Sequence, residues 1–392
     1  MAHFGRFFQF FASFLPLQFY ISMQLQQRPQ QQQDGIATAS LQDVGMDAKL
    51  ISKLLANIKS GYFPNRHSLL IYKDNQLVLE EYFSGQDQIW GQDVGVIEHN
   101  ATMLHDVRSI SKSIVSACVG IAIQQGLIRD VHQNIFDFFY DYEVYRSEGR
   151  EFLTVEHLLA MTTGMEWNEE IPYSNPENSQ IQMDNSPNPL EYFLSRPLIA
   201  QPGTSWCYNG GATEALAKII RRVSGMDIYQ YAKTFLLEPM GIVYSEWTKI
   251  WNGLPSAAGG LRLTSRDLLK FGILYQNDGL WNGIQLVPKE WVAQSFSSKI
   301  KRQGLWKNGD YGYQFWIFNE RIRGESLHIT AAMGTGDQCI FFDKKNNLIM
   351  VSTAGNYFPM PPKTNAFVIL KKIYESFLVK PVRKSATSVI DK

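Results

Sequence analysis

Residues 102–128, TMLHDVRSISKSIVSACVGIAIQQGLI, decide how the rest of the chain is read. Ser109 stands three residues before Lys112 at the start of an apolar run. Ile114, Val115, Cys118, Val119, Ile121, Ala122 and Ile123 put apolar groups on nearly every side, the pattern of a helix buried in the middle of a domain. Residues at i and i+3 lie one turn apart on one face, so the hydroxyl and the amine come within hydrogen-bond reach. A serine hydroxyl is a poor nucleophile until something takes its proton. A lysine can do so only where burial or a neighbouring cation lowers its pKa, and a buried helix start offers such a place. The pattern is short, however. Ser298 to Lys301 matches it too, in the polar cluster SFSSKIKRQG, which reads as solvated surface.

The 392 residues allow one large or two ordinary domains with a substantial core. With 45% hydrophobic and 19% charged residues, the composition is that of a globular protein. Thirty-seven basic residues balance thirty-seven acidic ones, so the chain carries no electrostatic footprint for nucleic acid. Cys118, Cys207 and Cys339 are too few and too scattered for a disulfide framework or a zinc cluster. The seven histidines are dispersed and form neither H-x-x-x-H nor H-E-x-x-H, so no metal is expected.

At the N-terminus, Arg6 precedes FFQFFASFLPLQFYISM, an apolar stretch broken by Gln9, Ser13, Pro16 and Gln18. It is too short and interrupted for a stable membrane span, and its basic start and apolar middle read as an export signal or anchor. A secreted or periplasmic location follows from that reading, and a cytoplasmic one from the alternative of an amphipathic tail. The glutamine-rich QLQQRPQQQQDG reads as a linker. Residues 1–44 are therefore set apart, the folded domain is expected over 45–378, and the polar 379–392 as a frayed tail.

MDAKLISKLLANIKSG has helical spacing ending at Gly61, and SLLIYKDNQLVLEEYFSG reads as a hairpin turning at Asp74 and Asn75. FLTVEHLLAMTTGMEW contains a short helix in which Glu156 and His157 invite a catalytic reading, but with no third group beside them they read as structural. Residues 166–197 are polar, rich in Asn, Pro and Ser, and read as a long loop. QPGTSWCYNGG leads into the helix ATEALAKIIRRVSG, and AAGGLRLTSRDLLKFG is a glycine turn before a helix capped by Thr264 or Ser265. The C-terminal part supplies strands YGYQFWIF, CIFFDKK and NLIMVSTAG, with a turn at Asn346 and Asn347, then a closing helix in KTNAFVILKKIYESFLV. Helix, strands, a helical middle, strands and helix imply an α/β fold. One antiparallel sheet is drawn from both ends of the chain, flanked by helices, with a mainly helical lobe inserted.

From about 45 to 375 the chain resembles the serine beta-lactamase-related hydrolases: class C beta-lactamases, penicillin-binding-protein-like esterases and peptidases, and 6-aminohexanoate-dimer hydrolase. VRSISKS, LTVEHLLAMTTGMEW, PGTSWCYNGG, AAGGLRLTSRDLLKFG and MGTGDQCIFF occur in that family's order. The resemblance implies a beta-lactamase/transpeptidase-like fold, Ser109 as acylated nucleophile, Lys112 as its proton acceptor and Tyr208 as the phenol of the second motif. No cofactor is implied. The family's second motif is usually Tyr-x-Asn, whereas Tyr208 is followed by Asn209, Gly210 and Gly211, so Asn209 either replaces the amide or shapes the turn. The third motif, usually Lys-Thr-Gly or His-x-Gly, is Ala332, Met333 and Gly334, followed by Gly336, with His328 an alternative alignment. Lacking the usual cation, the site is not that of an enzyme for penicillins. Ser109, Asn209, Gly334 and Gly336 form the expected oxyanion-hole and substrate-binding set, backbone N–H groups of Ser109 and of the strand near Gly334 supplying the hole.

The expected partner is a small molecule or short peptide cleaved at an amide or ester bond through an acyl-enzyme. The alternative, a family member turned into a catalytically inactive binding or sensor module, does not account for a retained Ser109, Lys112 and Tyr208. An α/β-hydrolase esterase would need G-x-S-x-G, which the chain lacks.

Overall fold

A computed structural model describes residues 28–357 and 364–378. The predicted hairpin forms as strands β1 (Arg66–Lys73) and β2 (Gln76–Tyr82). Asp74 and Asn75 both take left-handed backbone angles, φ +52° and +65°, as a tight hairpin turn with the strands' own twist requires. Two smaller strands, β3 (Ser84–Ile89) and β4 (Gln92–Glu98), make a second hairpin, and β5 (His105–Asp106) pairs with β6 (Leu261–Leu263). Six further strands follow late in the chain: β7 (Ile300–Lys301), β8 (Asp310–Tyr311), β9 (Trp316–Ile322), β10 (Glu325–Gly334), β11 (Gln338–Asp343) and β12 (Leu348–Ala354).

The main sheet runs β7-β8-β9-β10-β11-β12-β1-β2. It is sewn together where β1 pairs antiparallel with β12, Leu70 opposite Val351, so both ends of the chain contribute to one sheet as the element order implied. Alternation along β1 and β12 assigns the faces. Leu69, Ile71, Leu348 and Met350 enter the layer with helices α1 (Ala48–Lys59) and α7 (Ala366–Glu375). Leu70, Tyr72, Ile349 and Val351 enter the layer with α2 (Ile110–Gln124), α5 (Gly210–Ser224) and α6 (Ser265–Gln276). Every residue of α2 from Ile110 to Ala122 is buried, because the helix lies between the sheet and the helical lobe. The architecture is the expected antiparallel sheet flanked by helices.

Several local expectations are corrected. The packed chain reaches back beyond residue 45: Ile36, Ala39 and Leu41 are buried, Thr38 bridges to Leu77, and Asp34 pairs with Arg266 at 2.6 Å. Low hydrophobicity in the glutamine tract hid these few apolar anchors. YGYQFWIF is not one strand, since Gln314 turns at φ +65° and β9 starts at Trp316. The long β10 was not foreseen because its exposed outer half, around RIRGES, is polar. The 166–197 loop holds two short helices, α4 (Ser179–Asp184), capped by the Asn178 side chain, and Pro189–Leu194. The apolar N-terminal segment and the 379–392 tail lie outside the described residues. Among the described residues no helix is long and apolar enough to cross a membrane.

Candidate functional site

Ser109 stands at the N-cap of α2, and Lys112 follows one turn later with its side chain almost fully buried. The Lys112 ammonium donates to Ser109 Oγ at 3.2 Å and to the Ala258 carbonyl at 2.7 Å. The second bond comes from the glycine turn before β6 and fixes an otherwise flexible side chain against the serine. Tyr208, immediately before the Asn209 cap of α5, presents its ring 5.0 Å from Lys112 Nζ. Three groups separated by up to 99 residues in sequence thus converge. Tyr208 is itself buried, packed 5.4 Å from both Trp306 and Trp316 between ring centroids. Burial raises the Tyr208 phenol above its ordinary value, the Lys112 ammonium opposes that rise, and Glu169 reinforces it. At neutral pH the phenol therefore keeps its proton.

Gly334 ends β10 against the backbone of Ser109. A Cβ at this position would lie 3.0 Å from Arg108 Cβ and 3.1 Å from Ser109 N, and would collide with the Val107 carbonyl. Only a glycine lets the strand approach so closely, and the next residue, Thr335, faces the cleft beside Ser109. The other expected ligands serve the frame. Asn209 is completely buried and its Oδ1 accepts from Ala212 N at 3.1 Å, capping α5. Gly336 turns at φ +94° with its Cα against the Tyr357 ring. The Asn209 amide N–H group is buried with no hydrogen-bond partner. His328 is exposed and bonded to Asn319 at 3.0 Å, away from the site.

The cleft over Ser109 and Lys112 holds about 520 Å³. Its walls also include Arg108, Glu169, Gln180 and Asp184. Arg108 is stacked between Trp90 and Tyr357, 5.1 and 4.9 Å from their centroids, and pairs with Asp106 at 3.2 Å, so a cation does stand at the cleft, though a compensated one. Glu169 is buried and receives Trp167 Nε1 at 2.6 Å, Tyr173 OH at 3.0 Å and Gly210 N at 2.5 Å, which ties the 166–197 segment to α5. Gln180, one turn before Asp184 on α4, donates its amide N–H to that carboxylate at 2.8 Å, while its own buried Oε1 has no partner. Burial, with Glu169 nearby, pushes Asp184 up to about 7, and burial with Asp184 nearby pushes Glu214 up to about 8, despite the Lys112 charge. Glu169 and Asp184 belong to the acidic run from Glu166 to Glu191, which carries no lysine or arginine, and the i, i+4 spacing to Asp184 after a capping Asn178 was the signal for Gln180.

Residues 65–371 match the family model described as Beta-lactamase. The chain belongs to the beta-lactamase family. It is 25% identical over 246 residues to the 6-aminohexanoate-dimer hydrolase of Paenarthrobacter ureafaciens, a match over 57% of this chain and 61% of that one. An uncharacterised protein of Alkalihalophilus pseudofirmus is 26% identical over 241 residues, 57% of this chain and 62% of its own. The match thus spans about three fifths of the length of these curated relatives. Among solved structures, the octameric penicillin-binding protein homologue from Pyrococcus abyssi superposes with a TM-score of 0.63 at 20% identity, covering 84% of this chain and 78% of that one. A family VIII carboxylesterase gives 0.63 at 16% identity, covering 84% and 96%. These superpositions establish the beta-lactamase/transpeptidase-like fold.

Within this beta-lactamase-family chain, the decoys resolve as structural. Ser298 is exposed beyond the helix Lys289–Ser295. Glu156 accepts from Tyr313 OH at 2.5 Å, and His157 Nδ1 accepts from Thr154 N at 3.2 Å to close the turn of α3 (Val155–Leu159).

Proposed function

We propose that this chain is a serine hydrolase that cleaves amide or ester bonds of small molecules or short peptides through an acyl-enzyme. The observation that carries the reading is the contact of Lys112 Nζ with Ser109 Oγ at the mouth of the 520 Å³ cleft, with the Tyr208 ring on its other side. Ser109 Oγ attacks the substrate carbonyl carbon as its proton passes to Lys112 Nζ, a step that requires Lys112 as the free amine. The oxyanion is held by N–H groups of Ser109 and of the strand end at Gly334 and Thr335. Tyr208, protonated and beside Lys112, gives a proton to the departing amine or alkoxide and regains one from Lys112, and the C–N or C–O bond breaks. Water then repeats the sequence on the acyl-serine and releases the acid.

The Asp184 and Glu169 carboxyls on the wall favour substrates bearing an amine, in keeping with the similarity to a 6-aminohexanoate-dimer hydrolase. Treatment with a fluorophosphonate, followed by intact-mass measurement and peptide mapping, tests the reading. One adduct on Ser109, absent from Ser109→Ala, and turnover in a panel of chromogenic esters and aminoacyl amides are expected. A folded protein with neither adduct nor turnover would instead be a binding module that has lost the chemistry.

A further inference from the structure

Behind the cleft wall, a second cluster of reactive side chains gathers residues that the sequence keeps up to 38 positions apart. His67 comes from β1, Asp87 from β3, His99 from just after β4 and His105 from β5. All four are nine-tenths or more buried. His67, Asp87 and His99 can each bring one donor atom within 4.8 Å of the others. His105 Nε2 lies 2.8 Å from His67 Nδ1 and 3.7 Å from Asp87 Oδ2, and His99 Nε2 lies 3.8 Å from the same carboxylate oxygen.

The hydrogen bonds fix how at least one ring is presented. His105 Nδ1 faces the Asp106 carbonyl at 3.0 Å, and a carbonyl can only accept, so Nδ1 carries the proton and Nε2 aims a lone pair into the cluster. A ring anchored through one nitrogen to a backbone carbonyl, with the other free, is how proteins orient a metal-binding histidine. Asp87 is likewise held from behind, its Oδ1 accepting from Gln88 N at 2.8 Å. His99 Nε2, which faces the Asp87 carboxylate, is buried with no hydrogen-bond partner, which is costly for a polar group serving packing alone.

We propose that His67, Asp87, His99 and His105 form a binding site for a divalent transition-metal ion of the zinc type. Three imidazoles and one carboxylate are a donor set that such ions take, and bond lengths of about 2.0–2.2 Å place neighbouring donors roughly 3.3 Å apart. The His67–His105, His105–Asp87, His99–Asp87 and His67–Asp87 pairs lie 2.8, 3.7, 3.8 and 4.0 Å apart, the last to the other carboxylate oxygen, which brackets that value. On binding, His67 moves its proton from Nδ1 to Nε2 and offers the Nδ1 lone pair. No net proton is released. The ion would fasten the β3–β4 hairpin, which carries Gln88 and Trp90 to the cleft rim, to the main sheet and to the segment that leads into Ser109.

The test uses the full untagged chain, stripped with a chelator and then titrated with Zn²⁺ or Co²⁺. One zinc retained per chain after removal of the excess, a rise in Tm that grows with free zinc, and visible absorption bands of four-coordinate Co²⁺ are expected. Asp87→Asn and His99→Gln should each weaken zinc binding by at least ~10-fold and abolish the cobalt bands. Failure of the wild-type chain to retain zinc, with an unchanged Tm, overturns the proposal even if the variants do not fold. Stoichiometric zinc that both folded variants hold as tightly as the wild type places the metal elsewhere and overturns it too.

Discussion

The carboxamide of Gln180 occupies the space that a side chain on Gly210 would fill: a Cβ on Gly210 would collide with Gln180 Oε1. Residue 210 is two positions after Tyr208, the asparagine position of the Tyr-x-Asn motif that this segment resembles, and the Gln180 amide stands at that place. Its oxygen is buried, unpartnered and on the cleft wall.

Gln180→Ala should therefore lower kcat/KM for the best substrate by about tenfold, the effect of one hydrogen bond worth ~1.4 kcal/mol. The double variant Gln180→Gly with Gly210→Asn should recover part of the loss. Steady-state kinetics beside a melting curve separates this from misfolding, and an unchanged kcat/KM in Gln180→Ala removes the amide from recognition.

Lys112→Ala should slow fluorophosphonate labelling of Ser109 by ~10²–10⁴-fold, the usual span for a lost general base. Tyr208→Phe keeps the ring packing against Trp306 and Trp316 and removes only the hydroxyl. It should reduce kcat for amides more than for activated esters, whose leaving groups need no proton. Equal losses for both substrate types would take the phenol out of leaving-group protonation.

Gly334→Ala should act through the backbone, not through a side-chain contact with substrate. The added methyl drives β10 away from the Val107–Ser109 backbone, costing about 1–3 kcal/mol of stability by overpacking and ~10²-fold in rate through loss of an oxyanion donor. Denaturant unfolding and labelling rate measured on one sample check both, and full labelling speed in the variant contradicts the placement of the hole.

Because burial lifts Asp184 to about 7, its charge is absent below that pH and present above it. The ratio of kcat/KM for a cationic amide to that for its neutral isostere should rise between pH 6 and 8 and shrink as salt is added. Taking the ratio cancels any ionisation of Lys112 and Tyr208. Asp184→Asn should flatten the profile, and a ratio that tracks pH equally in that variant assigns the effect to another group.

We propose that the N-terminal segment directs export. Gln31 Nε2 donates to the Ile36 carbonyl at 2.8 Å and Arg28 meets Asp43 at 3.3 Å, so contacts with the folded domain are in place from residue 28 onward. N-terminal sequencing of protein recovered outside the cytoplasm should begin at or before that point. An intact Met1 on cytoplasmic protein refutes it.

The sequence by itself determined the periodic elements and the nucleophile's mount. The α2 pattern, the Asp74–Asn75 turn, the capped α6 and the Ser109–Lys112 spacing depend on interactions within a few residues, which local chemistry dictates. Ordered motifs also tied Tyr208 to that serine, and the structure sets its ring 5.0 Å from Lys112 Nζ. What only the tertiary structure decided is contact between elements whose separation in sequence leaves no trace in either one. Nothing near Asn209 distinguishes a ligand from a cap until α5 forms around it. Nothing in Gly210 announces that Gln180 will fill its place. The histidines at 67, 99 and 105 follow no spacing rule because three different strand connections bring them together, and sheet pairing, which is blind to intervening chain length, set that meeting point.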